Sequence, residues 1–213
     1  MENLKYYTKK ENLVNAITHG IGAALAVAAL VILIVFSSIY GDAWYVVSFT
    51  IYGVSLVLLY TISTLYHSLT GYKAKKVFQI MDHSSIYILI AGTYTPILLT
   101  VLRSPKGWVI FGVIWGLTIL GIAIQPFIIN KHDIISTVIY IIMGWLIVTQ
   151  LGSLVRAIPR ISVIFLILGG VLYTLGAVLY LVKKIPYNHG IWHLFVLAGS
   201  IFHFFTILFL VIK

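Results

Sequence analysis

The chain has 213 residues, of which 61% are hydrophobic and 9% charged, with 14 Lys and Arg against 5 Asp and Glu for a formal net charge of +9. A soluble domain carries about 25% charged residues, so this composition excludes both a water-facing globule and a disordered chain. Cysteine is absent, which removes disulfides, thiolate metal ligands and thiol nucleophiles. The basic residues fall in small groups between apolar runs and leave no basic face for nucleic acid.

A helix needs about 20 mostly apolar residues to cross a hydrocarbon core of about 30 Å. In chain order, seven runs meet that length: 15–37, 45–67, 79–101, 108–128, 134–152, 162–182 and 189–211. The predicted fold is an all-α integral membrane protein, a single seven-transmembrane helix bundle over residues 1–213. Turn formers and charges collect between the runs, at Gly41-Asp42, Gly71 with Lys73, Ser104-Pro105, Asn130-Lys131, Pro159-Arg160 and 183–186. Ala24, Ala26 and Ala28 lie inside the first run rather than after it, so a retained span is expected there instead of a cleaved leader.

Orientation follows from the basic residues. Lys5, Lys9, Lys10, Lys73, Lys75, Lys76, Lys131, Lys183 and Lys184 share one side, against Arg103, Lys106, Arg156, Arg160 and Lys213 on the other. That bias predicts a cytoplasmic amino terminus and an extracytoplasmic carboxyl terminus in the cell membrane.

Ionisable groups within spans are costly and mark candidate sites. Glu11, Asn15 and His19 lie at the start of the first run, Ser63 and His67 at the end of the second. Asp82 and His83 open the third, and His189 and His193 open the seventh. With alternating spans, all of these fall at the inner end. His189 and His193 are four apart and share one helix face. A third histidine from a facing helix would complete the three-ligand zinc site that leaves one position open. Taken alone, His-x3-His is a weak signal, and Asp82-His83 also reads as an ordinary helix start favoured by the helix dipole. His203 lies about 15 Å farther along the last run and cannot share the same ion. Thr93, Thr95 and Pro96 predict a local break in the third run. Gly112, Gly116, Gly121, Gly169, Gly170 and Gly176 predict close helix contacts, and Trp44 and Trp108 interfacial belts. Gln125 and Gln150 have no place in this pattern.

Several segments carry a resemblance. Glu11-Asn12-x2-Asn15-x2-Thr18-His19-Gly20, Ser63-Thr64-Leu65-Tyr66-His67, Asp82-His83-Ser84 with Ala91-Gly92-Thr93-Tyr94-Thr95-Pro96, and His189-Gly190-Ile191-Trp192-His193 resemble the signature segments of the hemolysin III family. Gly144-Trp145 and Leu168-Gly169-Gly170 with Tyr173 extend the likeness over nearly the whole chain. That family sits in a wider group with the progestin and adipoQ receptors and, more distantly, the alkaline ceramidases. The resemblance implies zinc as cofactor, held by His67, His189 and His193. It implies that Asp82 holds the water that reacts and that Ser63 is a nearby polar contact. Glu11, Asn15, His19 and His83 are expected to support these residues. The short chain, without the long amino-terminal domain of the animal receptors, is expected to be bacterial rather than a hormone receptor.

The function expected from this is a zinc-dependent hydrolase of a lipid amide or ester bond, with membrane lipids as partners and homo-oligomers open. Two other readings stand beside it. One is a pore-forming cytolysin, which needs a polar passage through the full depth. The other is a non-catalytic membrane sensor with structural zinc.

Overall fold

Capping chemistry sets where the helices begin. The Thr8 side chain accepts from the Glu11 N–H while the Glu11 carboxylate accepts from the Thr8 N–H, a capping box that opens α1 (Lys9–Tyr40). Asp42 accepts from the Trp44 and Tyr45 N–H groups at the head of α2 (Ala43–Ser68). Gly71 leads into α3 (Tyr72–Leu99), and Ser104 caps α4 (Pro105–Ile128), whose first-turn proline lacks an N–H that would be unpaired anyway. Then follow α5 (Asp133–Trp145), a 3-10 stretch (Leu146–Gln150), α6 (Leu151–Ala157), α7 (Arg160–Leu181) and α8 (Asn188–Leu208). This computed structural model describes residues 7–182 and 184–212. Of the charges used for orientation, Lys5, Lys183 and Lys213 lie outside the described residues.

The bundle has an apolar exterior and buries polar groups among its hydrophobic core. On α1, Leu13, Ile17, Ile21 and Leu25 recur once per turn and are all exposed, whereas Asn15 and His19 are buried. An apolar surface of this extent belongs in lipid. Among the described residues, six helices are long and apolar enough to cross a membrane: α1, α2, α4, α7, α8 and the composite Asp133–Ala157. The predicted run 79–101 is helical but falls short of that standard. α3 packs against α2, α4, α5 and α8 and buries Gln79, Asp82, Ser84, Ser85, Thr93 and Thr95. Enclosed by protein, it has little need of a lipid-compatible surface.

Two local expectations are corrected. The run 134–152 was expected to be one helix, but its ladder opens after Trp145. The Tyr94 hydroxyl, reaching across from α3, accepts from the Ile147 N–H at 2.7 Å. It lies 2.8 Å from the Met143 carbonyl and 2.9 Å from that of Gly144, to which it donates. A side-chain hydroxyl thus stands between Met143 and Ile147, partners in a regular α-helix, and the chain tightens into 3-10 geometry. Conversely, α3 does not break at Pro96, which lies within its last turn. There the lost N–H affects one bond near the helix end, while the Thr95 and Thr100 hydroxyls donate back to the Ala91 and Pro96 carbonyls.

The glycines divide. A Cβ at Gly121 would strike the Tyr87 ring, one at Gly169 the His203 ring, and one at Gly176 Phe195. Gly112 and Gly116 meet open space, so they are not helix contacts, and Gly170 has only ordinary contact with Trp145. At the opposite end from the candidate site, the Trp44 and Trp108 rings lie 5.8 Å apart with the Arg103 guanidinium 5.0 Å from the Trp44 ring.

Candidate metal centre

Helix direction alone brings the sequence candidates together. The start of α1, the end of α2 and the start of α8 meet at one end of the bundle, and α3 passes alongside. His67, His189 and His193 are all buried, and one ring nitrogen from each lies within 4.8 Å of the other two. His67 Nε2 and His189 Nε2 are 3.1 Å apart. Ligands around a tetrahedral zinc at 2.0–2.1 Å are about 3.3 Å from one another, so this edge already has the right span, and the wider edges need modest ring movement.

The other ring nitrogens show which way the rings are used. His193 Nδ1 lies 3.2 Å from the Asn15 carbonyl, which only accepts, so Nδ1 carries the proton. The Thr18 hydroxyl lies 3.1 Å from the same nitrogen. His67 Nδ1 lies 3.3 Å from Asn12 Oδ1, an oxygen that also accepts from Lys75 Nζ at 3.1 Å. The Asn12 amide nitrogen donates to the Tyr7 and Thr8 carbonyls, which fixes its orientation. His189 Nδ1 meets the Tyr7 hydroxyl at 3.1 Å. When Nδ1 donates on all three rings, every Nε2 presents a lone pair, and two of them face each other across 3.1 Å. Such a pair is repulsive until a cation sits between them. Imidazoles anchored through one nitrogen and converging through the other are how metal-binding histidines are oriented. The residues therefore fit a zinc ion, for which nitrogen donors are suited.

Asp82 is buried, but not as a helix-start acid: α3 begins at Tyr72, which places it well inside the helix. With Ser63, His83, His189 and His193 it lines a cavity of about 40 Å³. The Ser63 hydroxyl is buried beside the Asp82 carboxylate. His83 Nδ1 lies 3.1 Å from the Gln79 carbonyl and 3.8 Å from Asp82 Oδ2. His19 stacks on His193 with centroids 3.4 Å apart, its two nitrogens buried without partners among the described residues. Asn15 serves through its backbone carbonyl, with its side-chain nitrogen 3.5 Å from His67 Nδ1. Glu11 is turned to the Thr8 cap instead of the rings. His203 is remote, its Nε2 lying 3.2 Å from the Leu166 carbonyl. Gln125 is fully buried with neither amide atom hydrogen bonded, and nothing in the site explains it.

Residues without a metal-ligand signature complete the site. Tyr7 lies before the first span, and its ring centroid is 4.9 Å from that of His189 and 5.6 Å from that of His67. Burial, followed by the nearby Tyr180, holds its phenol well above the usual range. Asp133, Ser136, Thr137 and Tyr180 line the far wall of the polar cavity, with Tyr180 donating to Asp133 at 3.4 Å. None of these five carries a signal in the sequence, whereas the ring partners Asn12 and Thr18 stand in the first motif.

Next to the polar cavity lies a second space of about 110 Å³ with a mainly apolar lining. Leu59, Ile86, Tyr140, Ala177, Trp192 and Val196 border both.

Comparison with known proteins gives the family. Residues 7–204 match the haemolysin-III-related family. The chain belongs to the haemolysin III family. It is 51% identical over 203 residues to "Hemolysin-3" of Bacillus cereus, covering 95% of this chain and 93% of that one. It is 47% identical over 207 residues to the "Hemolysin-3 homolog" of Bacillus subtilis (strain 168), covering 97% of each. The human "Monocyte to macrophage differentiation factor" is 30% identical over 210 residues, covering 92% of this chain and 83% of its own. This haemolysin III chain is thus a multi-pass membrane protein with a buried triple-histidine group.

Proposed function

We propose that this protein is a zinc-dependent hydrolase embedded in the cell membrane of a bacterium, acting on an amide or ester bond of a lipid. One observation carries the reading: His189 and His193 of the triple-histidine centre share a cavity with a buried acid and a serine hydroxyl, and that cavity lies next to an apolar chamber. That adjacency suits an amphiphile with its scissile carbonyl among the imidazoles and its chain in the apolar space. In this reading α3 is the seventh span, the whole chain is one bundle, and the site faces the cytoplasm.

His67, His189 and His193 hold the zinc through Nε2. Zinc supplies the Lewis acidity that polarises a carbonyl and makes water reactive near neutral pH. The Asp82 carboxylate takes the proton of the attacking water and returns it to the leaving nitrogen or oxygen. The Ser63 hydroxyl donates to the oxygen on which charge develops. Asn12, Asn15 and Tyr7 keep the imidazoles in register.

The test is release of fatty acid from a panel of lipid amides and esters by purified protein, with and without chelator. Chelator-sensitive release abolished in Asp82→Asn supports the proposal; no release from any lipid by fully zinc-loaded protein refutes it. The relatives' name favours a second reading, a pore-forming cytolysin. Against it, the ionisable groups crowd one end and the adjoining chamber is apolar. Zinc-independent conductance in planar bilayers that survives His193→Ala would favour the pore.

A further inference from the structure

The segment just before α1 is built into the metal centre. Tyr7 precedes the first helix, yet its hydroxyl lies 3.1 Å from Nδ1 of His189, 182 residues away in sequence. Its ring lies against both His67 and His189. Its backbone is pinned, since the Asn12 amide donates to the Tyr7 carbonyl at 3.0 Å and the Thr8–Glu11 capping box fixes the next residue. The same Asn12 side chain turns its oxygen to His67 Nδ1 at 3.3 Å and to Lys75 Nζ at 3.1 Å. Two of the three imidazoles are therefore oriented by one short stretch of chain, and a single amide links that stretch to His67 and to α3.

We infer that Tyr7 and Asn12 are positioning residues of the metal centre, and that the segment they belong to closes the metal off from the aqueous phase. The inference rests on the zinc reading above. His189 donates its Nδ1 proton to the Tyr7 oxygen and His67 donates its own to Asn12 Oδ1, so both rings keep Nε2 as a lone-pair donor. The Tyr7 ring covers the outer edges of the same two imidazoles. Docking of this segment and metal affinity are then one equilibrium: loosening the segment frees the tautomers and opens the centre, while bound metal holds the segment down.

The test uses the full chain in detergent, with zinc affinity measured against a competing chromophoric chelator and zinc release followed in excess chelator. Loss of a group that orients a ligand costs about 10–100-fold in metal affinity. Tyr7→Phe, which deletes one oxygen and keeps the ring, is expected to weaken zinc binding at the lower end of that range and to speed release. Asn12→Ala is expected to cost at least as much, and both are expected to shift the visible spectrum of the cobalt(II)-substituted protein. Tyr40→Phe, exposed at the other end of α1, is the control and leaves all three readouts unchanged. Should Asn12→Ala fail to fold, Tyr7→Phe decides alone. Wild-type affinity, release rate and cobalt spectrum in Tyr7→Phe overturn the inference, even with a lowered melting temperature, because that pattern is packing alone. A wild-type chain that binds no zinc overturns the metal reading itself, a separate result.

Discussion

Both ends of the bundle bury a histidine on α8, and only one of them is a candidate site. His193 and His203 are each buried, and each lies close to a backbone carbonyl. At His193 the anchored nitrogen is Nδ1, leaving Nε2 toward His67 and His189. At His203 the anchored nitrogen is Nε2, Nδ1 is unpaired, and its aromatic neighbour is Tyr173, 5.2 Å away between ring centroids. Gly169 leaves room for that ring on α7. Burial and one hydrogen bond thus describe both residues. Company makes the difference: one ring faces two other imidazoles beside a polar cavity, the other lines the mainly apolar chamber next to it.

The sharpest way to break this contrast is to remove one ring from each end. His193→Ala is expected to lose stoichiometric zinc on elemental analysis and to melt at the temperature of chelator-stripped wild type. Zinc at about 100 times its dissociation constant contributes about 2.7 kcal/mol of stability to a chain that binds it only when folded. Asp82→Asn is expected to keep zinc and lose about 10²–10⁴-fold in lipid hydrolysis, the usual share of a general base. Zinc loss in that variant would make Asp82 a ligand instead.

Smaller effects belong to groups outside the centre. Tyr94→Phe leaves the Ile147 N–H without its partner, and an unmet buried donor costs about 1–3 kcal/mol. Unfolding in detergent is expected to show that loss with zinc content unchanged. His203→Leu is expected to cost least, about 1 kcal/mol for one hydrogen bond, again with full zinc. Zinc loss in His203→Leu would erase the contrast between the two ends.

Much of this layout is legible in the sequence because two strong rules apply. Lipid demands long apolar runs, so the seven runs stand out, and buried ionisable groups stand out against them. Helix alternation then places Asn15, His67, Asp82 and His189 at one end without any structure. The rest depends on contacts across the chain. Tyr94 opens the fifth run from α3, and no periodicity within residues 134–152 signals a hydroxyl arriving from elsewhere. Tyr7 is an unremarkable residue ahead of a helix until a histidine 182 positions away is folded against it. Asp133 and Tyr180 read as a loop acid and a span-end aromatic, yet both line the polar cavity. The run 79–101 reads as a span, but that α3 is shielded by protein on several sides depends on neighbours that hydropathy does not see.

The most direct test is an anomalous-scattering map of the purified, zinc-loaded protein collected on both sides of the zinc absorption edge. One peak is expected among His67, His189 and His193, about 2.0–2.1 Å from the Nε2 atom of each, with a further coordination position facing the Asp82 cavity. A map with no peak there, or a zinc ion held by other residues while these three rings point elsewhere, contradicts the metal centre.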